Sequence, residues 1–249
     1  MTVPFTPNYI TNPRYPDPAV EVLDDSFRDL RLYSASVEQL ASGCRWAEGP
    51  VWFGDGRYLL WSDIPNDRIL RWDETSGQTS VFRSPASHAN GHVRDRQGRL
   101  VSCEHLGRRI TRTEYDGRIS VLADRFDGKR LNSPNDIVCA QDGSLWFTDP
   151  SFGIAGHWEG APAVQELPHA VYRLPPDGPL QRVIDDLRAP NGLAFSPDES
   201  ELYVIESRAE PHRKLWAYRV GAAGELSSKR LVVDAADGGA LDGIAVDIE

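Results

Sequence analysis

The sequence predicts an all-β fold, a β-propeller built of four-stranded antiparallel blades. From residue 30 onward, short apolar runs of β type alternate with turn residues, whereas capped stretches of helical period are scarce. A polar residue followed by a small turn and an apolar run recurs five times, at spacings of 42, 45, 56 and 51 residues. This period is near the ~40–50 residues of a propeller blade. The five polar residues, called the leading residues below, are Glu48, Asn90, Asn135, Asn191 and Asp242.

Each of the first four repeats predicts the same elements in the same order. The first repeat reads GPVWF, YLLWSD, ILRWD and TSVF, which predicts four short strands. A hairpin turn lies eight positions after each of these leading residues, with its key residue at Gly56, Gly98, Gly143 or Glu199. An acidic residue ends each second strand, 14 or 15 positions after the leading residue: Asp63, Glu104, Asp149 and Glu206. Four such matches indicate that the acidic residue is part of the repeat.

Three regions depart from this pattern. Residues 1–29 carry five prolines and little apolar periodicity, so they predict an extended, non-catalytic arm ahead of a propeller domain over residues 30–249. Residues 150–169 stretch the third repeat, and they are either a lid or pocket wall or a plain surface insertion. The fifth repeat supplies one strand before the last residue. We therefore expect a six-bladed propeller that is truncated after the first strand of blade five.

Composition limits the classes of partner. The net charge of −10, without a basic run, argues against nucleic acid or an anionic membrane surface and favours a small molecule. Three scattered cysteines without a CxxC motif argue against a disulfide framework, and we expect them to be small buried hydrophobes. No apolar run resembles a signal peptide or approaches the ~20 residues of a membrane span, so a cytoplasmic location is expected. The oligomeric state is left open.

The leading residues are candidates for a metal site at one end of the central channel. Taken singly, the Asn-Gly and Asp-Gly pairs are ordinary hairpin signals, but each complete repeat already has its hairpin turn eight residues later. Four of the leading residues would offer two carboxylates and two amide oxygens: Glu48, Asn135, Asn191 and Asp242. Such a hard, oxygen-only set favours Ca²⁺, Mg²⁺ or Mn²⁺ over a metal that prefers thiolates.

Several segments carry a family resemblance: RWAEGPVW, GHVRDRQGRLVSCEH, GSLWFTDPSFGI and APNGLAFSPD. They resemble the gluconolactonase branch of the SMP-30/regucalcin/lactonase family, and the similarity runs from about residue 30 to the end. The resemblance implies a six-bladed propeller with one catalytic divalent cation, with Ca²⁺ favoured and Mg²⁺, Mn²⁺, Zn²⁺ or Fe²⁺ as alternatives. It places the metal ligands on Glu48, Asn135, Asn191 and Asp242. Where regucalcin-like relatives have an arginine that contacts substrate, this chain has Ser133.

The predicted function is a gluconolactonase-like carboxylic ester hydrolase that opens sugar-acid lactones to aldonic acids. Asp242 is the predicted general base, while Asn90, His105 and Asn135 are predicted substrate contacts. For His105 the alternative of a satisfied structural histidine stays open. Alternatives on the same site are a phosphotriesterase or aryl esterase, or a non-catalytic propeller that binds calcium or a protein. Six tryptophans, including Trp46, are assigned to packing between blades.

Overall fold

A computed structural model describes residues 15–247, which form four antiparallel sheets of four strands, one for each complete repeat. In every sheet the strands hydrogen-bond in chain order, so each sheet is a simple meander. The predicted all-β architecture of four-stranded repeats is confirmed. Helical structure in the described residues consists of one turn of α-helix, α1 (Phe27–Leu30), and two 3₁₀ turns at Ile64–Asn66 and Phe152–Ile154.

The sheets are called blades one to four. Blade one contains β1 Ala47–Phe53, β2 Tyr58–Asp63, β3 Arg68–Asp73 and β4 Gln78–Arg83. Blade two contains β5 Ala89–Arg94, β6 Leu100–Glu104, β7 Arg109–Thr113 and β8 Ile119–Ala123. A two-stranded hairpin, β9 Arg125–Phe126 and β10 Lys129–Arg130, leads into blade three. Blade three contains β11 Ile137–Cys139, β12 Leu145–Asp149, β13 Ala170–Leu174 and β14 Gln181–Ile184. Blade four contains β15 Pro190–Phe195, β16 Glu201–Glu206, β17 Lys214–Val220 and β18 Leu226–Asp234.

The apolar core lies between consecutive blades. One cluster joins blades one and two, a second joins blades two and three, and a third joins blades three and four. Trp146 is 1% exposed in the third cluster, where its large apolar ring system is buried between blades three and four and stabilises their packing. The first strands of all four blades line a shared channel of about 700 Å³, which gives the molecule a propeller-like arrangement.

The hairpin turns follow the predicted register in three of the four blades. Gly98, Gly143 and Glu199 have positive φ angles of 79°, 83° and 56°. In blade one the left-handed residue is Arg57, with a φ of 51°, one position later than the predicted Gly56. Gly56 is needed there for space, because a Cβ atom would lie 2.4 Å from the ring of Tyr58.

In three of the four blades the repeated acidic residue forms a hydrogen bond with the chain that enters the blade. Asp63 accepts a hydrogen bond from the backbone N–H of Arg45 at 2.9 Å, just before β1. Asp149 and Glu206 accept equivalent bonds at 2.8 Å, from the N–H groups of Asn132 and Arg188 respectively. In blade two the carboxylate instead binds side chains: Glu104 accepts hydrogen bonds from Arg109 and Thr111. Three of the four acids thus fasten the start of a blade to the end of its second strand.

Residues outside the complete repeats differ from the sequence-based picture in two places. The predicted arm is described from residue 15, and α1 begins inside it, where the Asp24 carboxylate accepts the N–H of Ser26 at 2.9 Å. Residues 241–247 do not form the predicted first strand of blade five, although the N–H of Gly192 donates to the carbonyl of Asp242 at 2.9 Å. The count of six blades and the truncation stay predictions.

Two further expectations concern the cysteines and the membrane. Cys103 is fully buried and Cys44 and Cys139 are half-buried, and all three are free thiols. Within residues 15–247, no helix has both the length and the apolar character needed to cross a bilayer.

Candidate active site

The leading residues lie at irregularities of the first strands. The pairing of β1 with β2 shifts register between Glu48 and Val51, and β5 and β15 show the same shift around Asn90 and Asn191. Such bulges bend a strand and re-aim a side chain, and they are common beside active sites. A glycine inside a strand pattern is the sequence signal for a bulge, and Gly49, Gly91 and Gly192 follow these leading residues directly.

These glycines allow the backbones of neighbouring repeats to touch. The N–H of Gly91 donates to the carbonyl of Asn135 at 2.8 Å, and a Cβ atom on Gly91 would lie 2.5 Å from that oxygen. Gly192 makes the matching bond to Asp242, where a Cβ atom would lie 2.4 Å from the carbonyl oxygen. Each contact sets two leading residues side by side. The Asn-Gly pairs therefore allow close backbone contact between neighbouring repeats, and the later turns form the hairpins.

In blade three an aspartate takes the place of the glycine. The Asp136 carboxylate accepts the N–H of Ile137 at 2.9 Å and the N–H of Leu193 at 3.2 Å, so it bridges blades three and four. Burial, together with the negative charges of Glu48 and Asp242, raises the pKa of Asp136 to about 6, against the effect of these two hydrogen bonds. This carboxylate lines the central channel.

A pocket of about 220 Å³ lies at one end of the channel, and all five leading residues line it. The structure thus brings together the residues that the repeat pattern singles out. Other lining residues come from outside the pattern: Trp46 just before β1, Phe152 and Glu159 from residues 150–169, and Arg208 after β16. The pocket lining agrees with the pocket-wall interpretation of residues 150–169.

Hydrogen bonds hold the two carboxylates among the leading residues. Glu48 accepts a bond from the indole Nε1 of Trp46 at 2.8 Å, and Asp242 accepts one from the amide Nδ2 of Asn191 at 2.7 Å. Burial raises the pKa of Glu48, and the negative charge of Asp242 raises it further. The predicted packing of Trp46 between blades is wrong, because Trp46 is 44% exposed and lines the pocket.

The donor set suits a hard divalent cation. The carboxylates of Glu48 and Asp242, of which Glu48 is partly buried, repel each other in one small pocket, and a divalent charge between them would offset that cost. Asn191 uses its amide nitrogen on Asp242, which leaves its carbonyl oxygen as a metal-competent donor. Within residues 15–247 there is no group of three or more His, Cys, Asp and Glu side chains that could hold a metal, so the two amides are necessary members of the set.

Blade two contributes Asn90 to the pocket and a buried histidine behind it. The carbonyl of Asn90 accepts a bond from the Ser62 hydroxyl at 2.9 Å. His92 lies between the hydroxyls of Ser62 and Ser102, each 2.8 Å from a ring nitrogen. Burial lowers the pKa of His92 to about 3, so the ring is neutral and acts as part of the scaffold.

His105 and Ser133 lie outside the pocket lining but contact the segment that forms one of its walls. His105 is fully buried, and its Nδ1 lies 3.6 Å from Oε2 of Glu159. Ser133 donates a hydrogen bond to the carbonyl of Pro150 at 2.6 Å and accepts the N–H of Gly153 at 3.0 Å. In this arrangement His105 reaches a substrate only through Glu159, and its direct contact stays a prediction. No sequence pattern predicts a role for Glu159, because only the length of the insertion distinguishes that region.

Comparisons with known proteins agree with this architecture. The profile of the SMP-30/Gluconolactonase/LRE-like region matches residues 46–249. A gluconolactonase of Zymomonas mobilis is 36% identical over 215 residues, which are 80% of this chain and 59% of that protein. The diisopropyl-fluorophosphatase of Loligo vulgaris is 26% identical over 200 residues, 74% of this chain and 63% of that protein. The chain therefore spans about three fifths of the length of these two relatives. The solved structure of a gluconolactonase from Xanthomonas campestris matches with a TM-score of 0.83 and 42% identity, over 100% of this chain and 79% of that one.

Proposed function

Because the chain belongs to the SMP-30/gluconolactonase/LRE-like family, we propose that it hydrolyses sugar-acid lactones, with gluconolactone as the first substrate to test. One observation carries this proposal: the five leading residues of separate repeats line a single pocket of about 220 Å³, which suits a small cyclic ester. The pocket offers carboxylates for proton transfer and amides for hydrogen bonding.

Glu48, Asn135, Asn191 and Asp242 would hold one divalent cation, with Ca²⁺ the ion best matched to their oxygen donors. A cation bound there would polarise the lactone carbonyl and lower the pKa of a water molecule beside it. The residues that hold the cation come from blades one, three and four and from the segment that follows blade four. Closure of these repeats on one another is therefore a condition for activity.

Asp242 is the general base of the proposed reaction. The amide of Asn191 bonds to Oδ1 of Asp242, which fixes the carboxylate and leaves Oδ2 to take a proton from the attacking water. The water oxygen forms a bond to the carbonyl carbon, the bond from that carbon to the ring oxygen breaks, and the ring oxygen takes up the proton. The product is the open hydroxy acid. Asn90 and Asn135 are the proposed hydrogen-bonding contacts of the substrate.

The test is lactone hydrolysis by the purified protein before chelation, after chelation and after re-addition of single divalent ions, with Asp242→Asn alongside. We expect chelation to abolish activity and Ca²⁺ to restore it, and we expect Asp242→Asn to lower kcat by about 100-fold or more. Asp177→Asn, an exposed aspartate of the β13–β14 turn, is the matched control and should leave kcat unchanged. Full activity of Asp242→Asn would contradict the general-base assignment, and full activity after chelation would contradict the metal requirement.

A second candidate reaction uses the same residues. The likeness to a diisopropyl-fluorophosphatase favours hydrolysis of a phosphofluoridate, in which the attacked centre is phosphorus and fluoride leaves. Assays of gluconolactone and diisopropyl fluorophosphate on the same preparation separate the two functions. We expect the lactone to have the higher kcat/KM, because the gluconolactonase relatives share more sequence with this chain.

A further inference from the structure

Asp242 is carried by a stretch of chain without regular structure. Strand β18 ends at Asp234, and residues 235–241 lead from this outer strand of blade four to the pocket at the end of the channel. Gly238 and Gly239 have φ angles of 96° and 111°, and a Cβ atom on either would meet no atom of the described chain within 4 Å. Two adjacent glycines with space around them leave the backbone many conformations. The position of Asp242 therefore depends on contacts from outside the segment.

The connection between β16 and β17 supplies two side chains that hold this segment. The hydroxyl of Ser207 donates to the carbonyl of Leu241 at 3.1 Å. The guanidinium of Arg213 donates from Nη1 to the carbonyl of Gly239 at 2.7 Å and from Nε to the carbonyl of Ser207 at 3.1 Å. Arg213 thus bridges the connection and the segment, while Ser207 holds the residue next to Asp242.

Strand β15 contacts Asp242 itself. The N–H of Gly192 donates to the Asp242 carbonyl at 2.9 Å, and the amide of Asn191 donates to Oδ1 at 2.7 Å. Ser207 and Arg213 line the 220 Å³ pocket as well. A carboxylate that serves as ligand and base must stay in one place, and loss of a residue that orients a metal ligand typically costs about 10- to 100-fold in metal affinity or activity.

We propose that Ser207 and Arg213 are positioning residues, which hold residues 239–241 so that Asp242 reaches the cation and the attacking water. This inference rests on the proposed lactone hydrolysis, in which Asp242 is both a ligand and the base. Both side chains act through backbone carbonyl groups of the segment, and the proposed reaction itself uses neither of them. The connection between β16 and β17 thereby links blade four to the residue that carries the reaction.

Amide hydrogen exchange of the chelator-treated protein tests this placement without any turnover. The reporter is the amide of Gly192, whose acceptor is the Asp242 carbonyl, and the internal control is the amide of Gly91, whose acceptor is the Asn135 carbonyl. Arg213→Ala should speed exchange at Gly192 about 5-fold or more and leave Gly91 unchanged, because the segment leaves β15 more often without this bond. An unchanged rate at Gly192, or an equal rise at Gly91, would overturn the inference.

The same measurement separates Ser207 from the rest of the connection. Ser207→Ala removes the hydroxyl that bonds to Leu241 and should also speed exchange at Gly192, whereas Ser207→Thr keeps a hydroxyl and should keep the wild-type rate. Glu210→Gln is the matched control, because it lies in the same connection and loses only an exposed ion pair with Arg188. An equal rise in Glu210→Gln and Ser207→Ala would assign the effect to the connection as a whole and overturn the role of Ser207.

Calorimetric titration with Ca²⁺ and steady-state kinetics extend the test to the site. Arg213→Ala should weaken Ca²⁺ binding about 10-fold and lower kcat for gluconolactone at saturating Ca²⁺, with little change in KM, because the proposed substrate contacts stay in place. Glu210→Gln should match the wild type in all three quantities. Wild-type Ca²⁺ affinity and kcat in Arg213→Ala would overturn the positioning role.

The exchange measurement also separates this inference from the proposed function. A wild-type protein that neither binds Ca²⁺ nor opens the lactone would contradict the proposed function. Exchange at Gly192 requires neither the cation nor the substrate, so it still decides the inference: faster exchange in Arg213→Ala would support the hold on Asp242, and unchanged exchange would overturn it.

Discussion

The pocket has two walls of different origin. The wall made by the leading residues is fixed through the backbone, as in the bond from Gly91 N–H to the Asn135 carbonyl at 2.8 Å. The wall made by residues 150–169 is anchored at its start by the hydroxyl and the backbone N–H of Ser133, and beyond that it packs on the side chain of His105. A backbone-fixed wall between blades tolerates little change, whereas an inserted loop can be altered without moving the sheets. The first suits a reaction site, and the second suits the choice of substrate.

The largest expected effect comes from breaking the backbone-fixed wall. Gly91→Ala would place Cβ 2.5 Å from the Asn135 carbonyl oxygen and 2.8 Å from Cα of Asp136, so the blades must move apart. We expect the free energy of unfolding to fall by about 3 kcal/mol or more, measured by urea denaturation. Gly156→Ala is the matched control in the other wall, because a Cβ atom there meets no atom within 4 Å. Equal stability of the two variants would contradict the distinction between the walls.

Sequence patterns predict the residues of the first wall but few of those in the second. The sequence predicts the leading residues because the same spacing recurs in every repeat, and neighbouring blades place equivalent positions side by side. Two details were missed even there: the bulges, and the contact of Trp46 with Glu48. The pairing of His105 with Glu159 has no local signal, because it joins residues from two different repeats through an insertion without periodicity.

The second prediction concerns Asp149, where the second strand of blade three ends and the insertion begins. Burial raises the pKa of Asp149 to about 7, whereas an aspartate in the unfolded chain titrates near 3.8. As pH rises from about 4 to 7, the unfolded state loses this proton first, so the group lowers stability progressively. The pKa differs by about 3 between the two states, and one pKa unit corresponds to about 1.4 kcal/mol, so the fall is on the order of 4 kcal/mol. Asp149→Asn should abolish that part of the pH dependence, as measured by urea denaturation at several pH values.

Asp63, the equivalent residue of blade one, is the control with the opposite sign. Burial favours its neutral form, but hydrogen bonds from Asn66, Arg45 and Arg68 outweigh this effect and lower its pKa. Its contribution to stability is present at neutral pH and is lost as the pH falls through its folded-state pKa, below 3.8. Asp63→Asn should therefore destabilise the protein most at neutral pH. The same pH response in both variants would contradict the assignment of Asp149 as a buried, largely protonated acid.

The smallest expected effect tests whether the backbone-fixed wall also depends on a side-chain contact. Trp46→Phe keeps an aromatic ring in the pocket lining but removes the N–H that bonds to Oε1 of Glu48 at 2.8 Å. Loss of one hydrogen bond to a charged, partly exposed group should weaken Ca²⁺ binding by about 3- to 10-fold in calorimetric titration, through looser orientation of Glu48. Trp52→Phe is the matched control, because Trp52 is equally exposed at 43% and does not line the 220 Å³ pocket. Unchanged affinity in Trp46→Phe would mean that the backbone alone orients Glu48, and the contrast between the two walls would then be complete.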